Sequence, residues 1–232
     1  MKCVESVKKE GLDGISFDIS TDKNTVKMRY YMTIDERLDT IFNLTQWAHK
    51  NNLLTRCYLS ECFGSPIGEK PKSKEITSII KNLDSNNVNE IILQDTFGVY
   101  NIKNSLRLID EIKIPKDKLS IHFYDSTLHG LEMIIGALSR GISKITTTIG
   151  GLGRHKHYED IIGNVVASDL VFALDCLEIK HDVKWQELLI AEKKVCRWMR
   201  TENLSDVFSI DFKDKMQKYK EMIQKEMQKK RS

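Results

Sequence analysis

No apolar run in these 232 residues approaches the roughly 20 that a membrane-spanning helix needs. Met1-Lys2-Cys3-Val4-Glu5 lacks the apolar core of a secretory signal. The five cysteines, Cys3, Cys57, Cys62, Cys176 and Cys196, are odd in number and never spaced CxxC. That pattern argues against a disulfide frame or a zinc ribbon and for free thiols in a reducing compartment. The expected location is the cytoplasm or an organelle matrix, with no membrane partner. Gly150–Gly153 is not a GxGxxG fingerprint, and neither a phosphate-binding GxxxxGK loop, nor an internal repeat, nor a low-complexity linker is present.

Excess charge is missing as well. The net charge is +3, but residues 211–232 alone hold eight Lys or Arg against four Asp or Glu. The other 210 residues are left with 28 basic and 29 acidic side chains. A body without a basic face and without a nucleic-acid motif is not expected to bind nucleic acid. The basic tail reads as a solvated helix end or as a docking device.

What is present is an ordinary globular composition, 41% hydrophobic and 30% charged, enough for one sizeable core. Short apolar runs at Gly14–Ile19, Arg56–Phe63, Glu90–Gln94, Leu119–Tyr124 and Ser143–Ile149 read as strands. Between them Thr33–Asn51, Ser73–Leu83, Asn101–Ile112 and Leu128–Arg140 read as helices, and Val4–Glu10 as a further one at the front. Thr33-Ile34-Asp35-Glu36 is a capping box. Leu106, Ile109 and Ile112 form an apolar stripe at helical spacing. Strands separated by single helices mean parallel strands with crossover helices. The expected fold class is α/β, of (β/α)8 barrel type, with about five of the eight units present. After Gly150 come a polar stretch, Arg154–Asp160, and helices at Val165–Leu177, Lys184–Arg200 and Asp211–Lys230. Phe212, Met216, Tyr219 and Ile223 give the last one a heptad-like face, for packing on the barrel or for a subunit contact. The expected domains are a partial barrel over 1–163 and a helical region over 164–232 packed on it.

In a parallel barrel, chemistry sits at the carboxyl ends of the strands. There the sequence offers Glu61 and Cys62, then Asp95-Thr96, then His122, Tyr124 and Asp125, then Thr146–Thr148. His122 and Tyr124 leave their strand on one side, with period 2. A carboxylate, an imidazole and hydroxyls could hold a divalent metal and a carbonyl substrate. Structural alternatives stand beside each. His122 could be a satisfied polar residue, and Asp95-Thr96 a cap for the next helix. Thr146–Thr148 could reflect β-propensity, and Cys62 could be a small buried apolar residue. His155-Lys156-His157 has the look of a metal pair, without a partner at zinc-finger spacing.

Those residues carry a resemblance. From about residue 11 to residue 200 the chain resembles the 3-hydroxy-3-methylglutaryl-CoA lyase family, within the metal-dependent TIM-barrel lyases and synthases. Tyr58-Leu59-Ser60 and Phe63-Gly64-Ser65-Pro66 resemble that family's Tyr-Val-Ser and Phe-Gly-Cys-Pro. Asp95-Thr96-Phe97-Gly98-Val99 resembles its Asp-Thr-Ile-Gly-Val, and His122-Phe123-Tyr124-Asp125 falls on its His-Cys-His-Asp. Gly151-Leu152-Gly153, Gly163-Asn164 and Asp169-Leu170-Val171 match in order and spacing. The resemblance implies retro-Claisen cleavage of a branched hydroxyacyl-CoA to acetyl-CoA and a keto acid. It also implies a divalent metal, Mg²⁺ or Mn²⁺, with His122 and Asn164 as ligands and Asp95 as an active-site acid supporting proton transfer.

The chain departs from the family at several of these positions. Tyr124 occupies the place of the second ligating histidine, and a neutral phenol is a poor donor to Mg²⁺ or Mn²⁺. Arg154 and His155 stand where the family has a glycine and a loop cysteine, leaving His155 as a candidate for acid–base work. No Arg-Asp-Gly-Leu-Gln motif, which resembles the family's first barrel strand, occurs here. The expectation is an N-terminally truncated, divergent member, homo-oligomeric or completed by a partner chain, that acts on a small acyl-CoA substrate. The alternatives are a catalytically degenerate homologue acting as a binding or assembly subunit, or a related aldolase or acyltransferase.

Overall fold

The computed structural model describes residues 7, 10–65, 72–125, 129–153 and 163–205. The chain divides between Thr146 and Thr147 into two compact units. The expected helices Val4–Glu10, in all but residues 7 and 10, and Asp211–Lys230 lie outside the described residues, as does the polar stretch 154–160.

The first unit is a five-stranded parallel sheet in sequential order. Its strands are β1 (Gly14–Ser20), β2 (Leu54–Ser60), β3 (Glu90–Gln94), β4 (Leu119–His122) and β5 (Lys144–Thr146). Helices α1 (Lys23–Tyr30), α2 (Ile34–Lys50), α3 (Ser73–Ser85), α4 (Ile102–Glu111) and α5 (Gly130–Leu138) make the crossovers. Sequential parallel order with helical crossovers is the arrangement of a segment of a (β/α)8 barrel.

Each element has a local cause. The Thr33 hydroxyl accepts from the Glu36 amide at 3.2 Å, while the Glu36 carboxylate accepts from the Thr33 amide at 2.8 Å, closing the capping box that starts α2. Asn101 accepts from the Asn104 amide and starts α4, so the loop from Asp95 to Tyr100 is not the helix cap. Helix α1 has little apolar patterning and buries only Val26, which is why periodicity passes over it. Its start is nonetheless marked by Asp22, whose carboxylate accepts from the Thr25 amide at 2.8 Å.

The sheet has two unlike faces. Parallel register aligns Ser20 with Ser60, Asp18 with Tyr58 and Gln94 with His122, so paired residues share a side. Cys57, Leu59, Ile91, Leu93, Leu119 and Ile121 fill the apolar face and are fully buried. The alternate positions carry Ser60, Gln94, His122 and Thr146 at the carboxyl ends, and Arg56, Glu90 and Lys144 at the amino ends. Between them lie Tyr58, Ile92 and Ser120, with Ile92 fully buried, so the polar side chains of this face gather at its two ends.

In the second unit, Thr148 pairs in parallel with Val166, and Ile149–Gly151 make a 3₁₀ turn. The run expected to be a strand to Ile149 therefore ends at Thr146. Helices α6 (Ala167–Cys176) and α7 (Trp185–Met199) follow. The fully buried Glu192 of α7 accepts from the Ser168 amide at 3.2 Å and from the Asn203 side-chain amide at 3.1 Å.

Candidate active site at the strand ends

Asp95 is the centre of the site in the first unit. It follows the last residue of β3, and its amide donates to the His122 carbonyl at 2.9 Å, tying it to the end of β4. It is fully buried. Burial pushes its carboxyl up to about 7, against the pull of the backbone amides of Gly98, Phe97, Tyr124 and Val99. None of those amides is placed for a full hydrogen bond to either oxygen, so desolvation of the charged form prevails.

His122 and Tyr124 emerge on the same side, as period 2 requires. Phe123 between them points the other way and is fully buried, its ring stacked 5.0 Å from Phe63 and edge-on to Tyr100 at 5.5 Å. That anchor fixes the direction of its neighbours. The His122 imidazole lies 5.9 Å from the Tyr124 ring at 20° and 6.3 Å from the Tyr58 ring at 70°, so it sits between two tyrosines. Burial, with the nearby Asp95 carboxylate, pushes the Tyr124 phenol up from its ordinary value; it stays protonated at any physiological pH.

Glu61, just past β2, ties the other strand ends together. It is 2% exposed and holds a left-handed backbone with φ 60°. Its carboxylate accepts from the Ser20 hydroxyl and from Thr25 Oγ1 at 3.2 Å. Its carbonyl accepts from Thr21 Oγ1 at 3.0 Å, and its amide donates to Thr96 Oγ1 at 3.1 Å. One residue thus joins the ends of β1, β2 and β3. Cys62 beside it is buried, donates to the Leu59 carbonyl at 2.9 Å, and has its thiol pushed far up by burial. That is an inert structural thiol, not a nucleophile.

Asn164 belongs to the second unit. It is 4% exposed, and its side-chain amide donates to the Leu152 carbonyl at 2.7 Å, closing the Gly150–Gly153 turn. His155 and the His155-Lys156-His157 pair lie outside the described residues.

These groups do not fit a resident Mg²⁺ or Mn²⁺. Such ions want several oxygen donors or imidazoles at short range. Tyr124 presents a phenol held protonated, and Asp95 a carboxylate whose ionisation burial disfavours. No group of three His, Cys, Asp or Glu able to hold a metal occurs among the described residues. What the strand ends can do is acid–base work and hydrogen bonding to a carbonyl.

A family model described as HMGL-like matches residues 1–195. The chain belongs to the HMGL-like family. It is 26% identical over 192 residues to hydroxymethylglutaryl-CoA lyase YngG of Bacillus subtilis, covering 82% of this chain and 64% of that protein. The crystal structure of the B. subtilis HMG-CoA lyase superposes with a TM-score of 0.86 at 25% identity, over 90% of this chain and 71% of that one. An HMG-CoA lyase from Acinetobacter baumannii, solved with coenzyme A and 3-methylmalate, matches in fold with a TM-score of 0.83 at 17% identity, over 90% of this chain and 69% of that one. The five-stranded sheet is therefore a segment of the lyase-type TIM barrel. The chain spans less than two thirds of the length of the curated relatives that it matches.

Proposed function

We propose that the chain is a hydroxymethylglutaryl-CoA lyase-like carbon–carbon lyase acting on a branched hydroxyacyl-CoA, with Asp95 as its proton-transferring group. The observation that carries this reading is a fully buried carboxylate at the end of β3, backed by His122 and Tyr124, on the fold of the lyases. Retro-Claisen cleavage removes the hydroxyl proton, breaks the adjacent carbon–carbon bond, and protonates the enolate thioester that leaves. A carboxyl held near neutrality can take one of those protons or give one at working pH. Tyr124, protonated and next to Asp95, is the neutral donor for a carbonyl oxygen, and Tyr58 and His122 shape the same side of the sheet. Glu61 fixes the strand ends against one another. Residues beyond the described ones, in the same polypeptide or in a partner chain, complete the site, with His155 a candidate acid–base group among them. The small acyl-CoA substrate, a homo-oligomeric state and a cytoplasmic or organelle-matrix location belong to this proposal. No helix among the described residues is long and apolar enough to cross a membrane.

A coupled assay for acetyl-CoA release from hydroxymethylglutaryl-CoA, with Mn²⁺ and EDTA arms, tests it directly. Tyr124 favours a second reading, since it stands in the place of a ligating histidine: a degenerate homologue that binds or assembles without cleaving. Acyl-CoA binding without release in any arm would support that reading over the first.

A further inference from the structure

The two chain neighbours of Asp95 are both held from the end of β2. The Glu61 amide donates to Thr96 Oγ1 at 3.1 Å, and the next amide, that of Cys62, donates to the Gln94 carbonyl at 3.3 Å. A regular strand does not make this pair of bonds, because its successive amides point to opposite sides. The Leu54 amide donates to the Asp13 carbonyl at 2.9 Å, and the Ser60 carbonyl accepts from the Thr21 amide at 3.1 Å. Even-numbered residues of β2 therefore turn their backbone to β1, and odd-numbered ones turn theirs to β3. Glu61 continues the odd series. Cys62 would by alternation face β1, but the left-handed backbone of Glu61, with φ 60°, turns its amide to β3.

A residue other than glycine keeps such a backbone only where its surroundings fix it. Here the Glu61 carboxylate accepts from the Ser20 and Thr25 hydroxyls, and its carbonyl from Thr21 Oγ1. Ser20 Oγ in turn accepts from the Asp22 amide at 2.8 Å, so the anchor includes the loop that starts α1. Glu61 and Thr96 are both buried, which shields these bonds from water. On the other side the Asp95 amide donates to the His122 carbonyl. The backbone of Asp95 is clamped between β2 and β4.

We propose that Glu61 is a positioning residue for Asp95 and acts through Thr96, its left-handed turn holding in place the backbone from which the Asp95 carboxyl projects. Proton transfer needs its group within a hydrogen bond of the reacting atom, and a misplacement of about 1 Å costs on the order of 100-fold in rate. A residue in this role acts on the rate of the step and not on substrate binding. The inference deepens the lyase reading, and only the activity arm of its test rests on that reading.

Steady-state kinetics and amide hydrogen exchange of the full chain test it together. Thr96→Val keeps the shape of the side chain and removes the acceptor for the Glu61 amide. It should lower kcat for acetyl-CoA release from hydroxymethylglutaryl-CoA by about 30-fold and leave KM within about twofold. Thr96→Ser, which keeps the hydroxyl, should restore kcat to within about threefold of native. Exchange in Thr96→Val should rise at least about tenfold at the Asp95 amide and stay unchanged at Ile91. A native kcat with native exchange at Asp95 would overturn the proposal. So would a rise in KM in place of the fall in kcat, or exchange that rises equally at Ile91. A native chain that releases no acetyl-CoA would sink the lyase reading alone, and exchange at Asp95 would then decide the positioning. Should Thr96→Val not fold, Glu61→Gly keeps the amide donor, adopts φ 60° without strain and loses the carboxylate anchor. It should raise exchange at Asp95 by about threefold, and no rise would overturn the proposal equally.

Discussion

The His122 imidazole and the Tyr124 ring lie almost parallel, 5.9 Å apart between centroids and 20° between planes. In a strand this is the spacing at which two histidines would converge on one ion. Here it makes an aromatic stack. Tyr124→His should therefore create a divalent site where the native chain has a poor one, with Asp95 as the adjacent carboxylate. Electron paramagnetic resonance of added Mn²⁺ should show binding at least about tenfold tighter than in the native protein. Equal binding in both would mean that Tyr124 is not what disfavours the cation.

Asp95 predicts a pH dependence of stability. Its folded carboxyl titrates near 7, above the ordinary carboxylate value of 3.8. Between those two values the folded state holds a proton that the unfolded state has lost. Stability therefore falls as pH rises from about 4 to about 7 and is level above that, a loss on the order of 4 kcal/mol at most. Asp95→Asn should flatten the slope. In urea melts the variant should match the native protein at about pH 3 to 4, below both values, and exceed it at pH 8.

Glu61 predicts a structural cost. Glu61→Ala leaves Ser20 and Thr25 without their shared acceptor and should destabilise by about 2 to 4 kcal/mol in urea denaturation. Glu61→Gln, which keeps one acceptor oxygen, should lose less than the alanine variant.

A close backbone approach predicts intolerance at Gly163. A Cβ there would stand 1.9 Å from the Gly151 carbonyl oxygen, so the turn held by Asn164 would have to open. Gly163→Ala should destabilise by more than about 2 kcal/mol and raise hydrogen exchange at Leu152.

Local chemistry made much of this legible in advance. Strand β3 has the bounds its apolar run announces, because Ile91-Ile92-Leu93 is short and flanked by polar residues. The capping box is a contact across three residues, and the structure makes it as the sequence spells it. His122 and Tyr124 share a side because alternation leaves no other outcome. Glu61 was visible as a strand-end acid, but its role depends on Ser20, Thr25 and Thr96, brought near by folding alone. The Arg37 side chain of α2, which donates to the Asp18 carbonyl of β1 at 2.8 Å, gave no signal, since that partner is a backbone group 19 residues away. The last strand was read too long because Thr146–Thr148 has the β-propensity of a strand, whereas Gly150, with φ 59°, turns the chain in the 3₁₀ segment.

The central claim is that Asp95 moves the proton in a lyase-type cleavage. The most direct measurement is the rate of acetyl-CoA release from hydroxymethylglutaryl-CoA by the native chain and by Asp95→Asn, each checked for folding by circular dichroism. The account predicts release by the native chain and a fall of at least about 100-fold in the variant. Equal rates in the two proteins, or no release from the folded native chain, would contradict it.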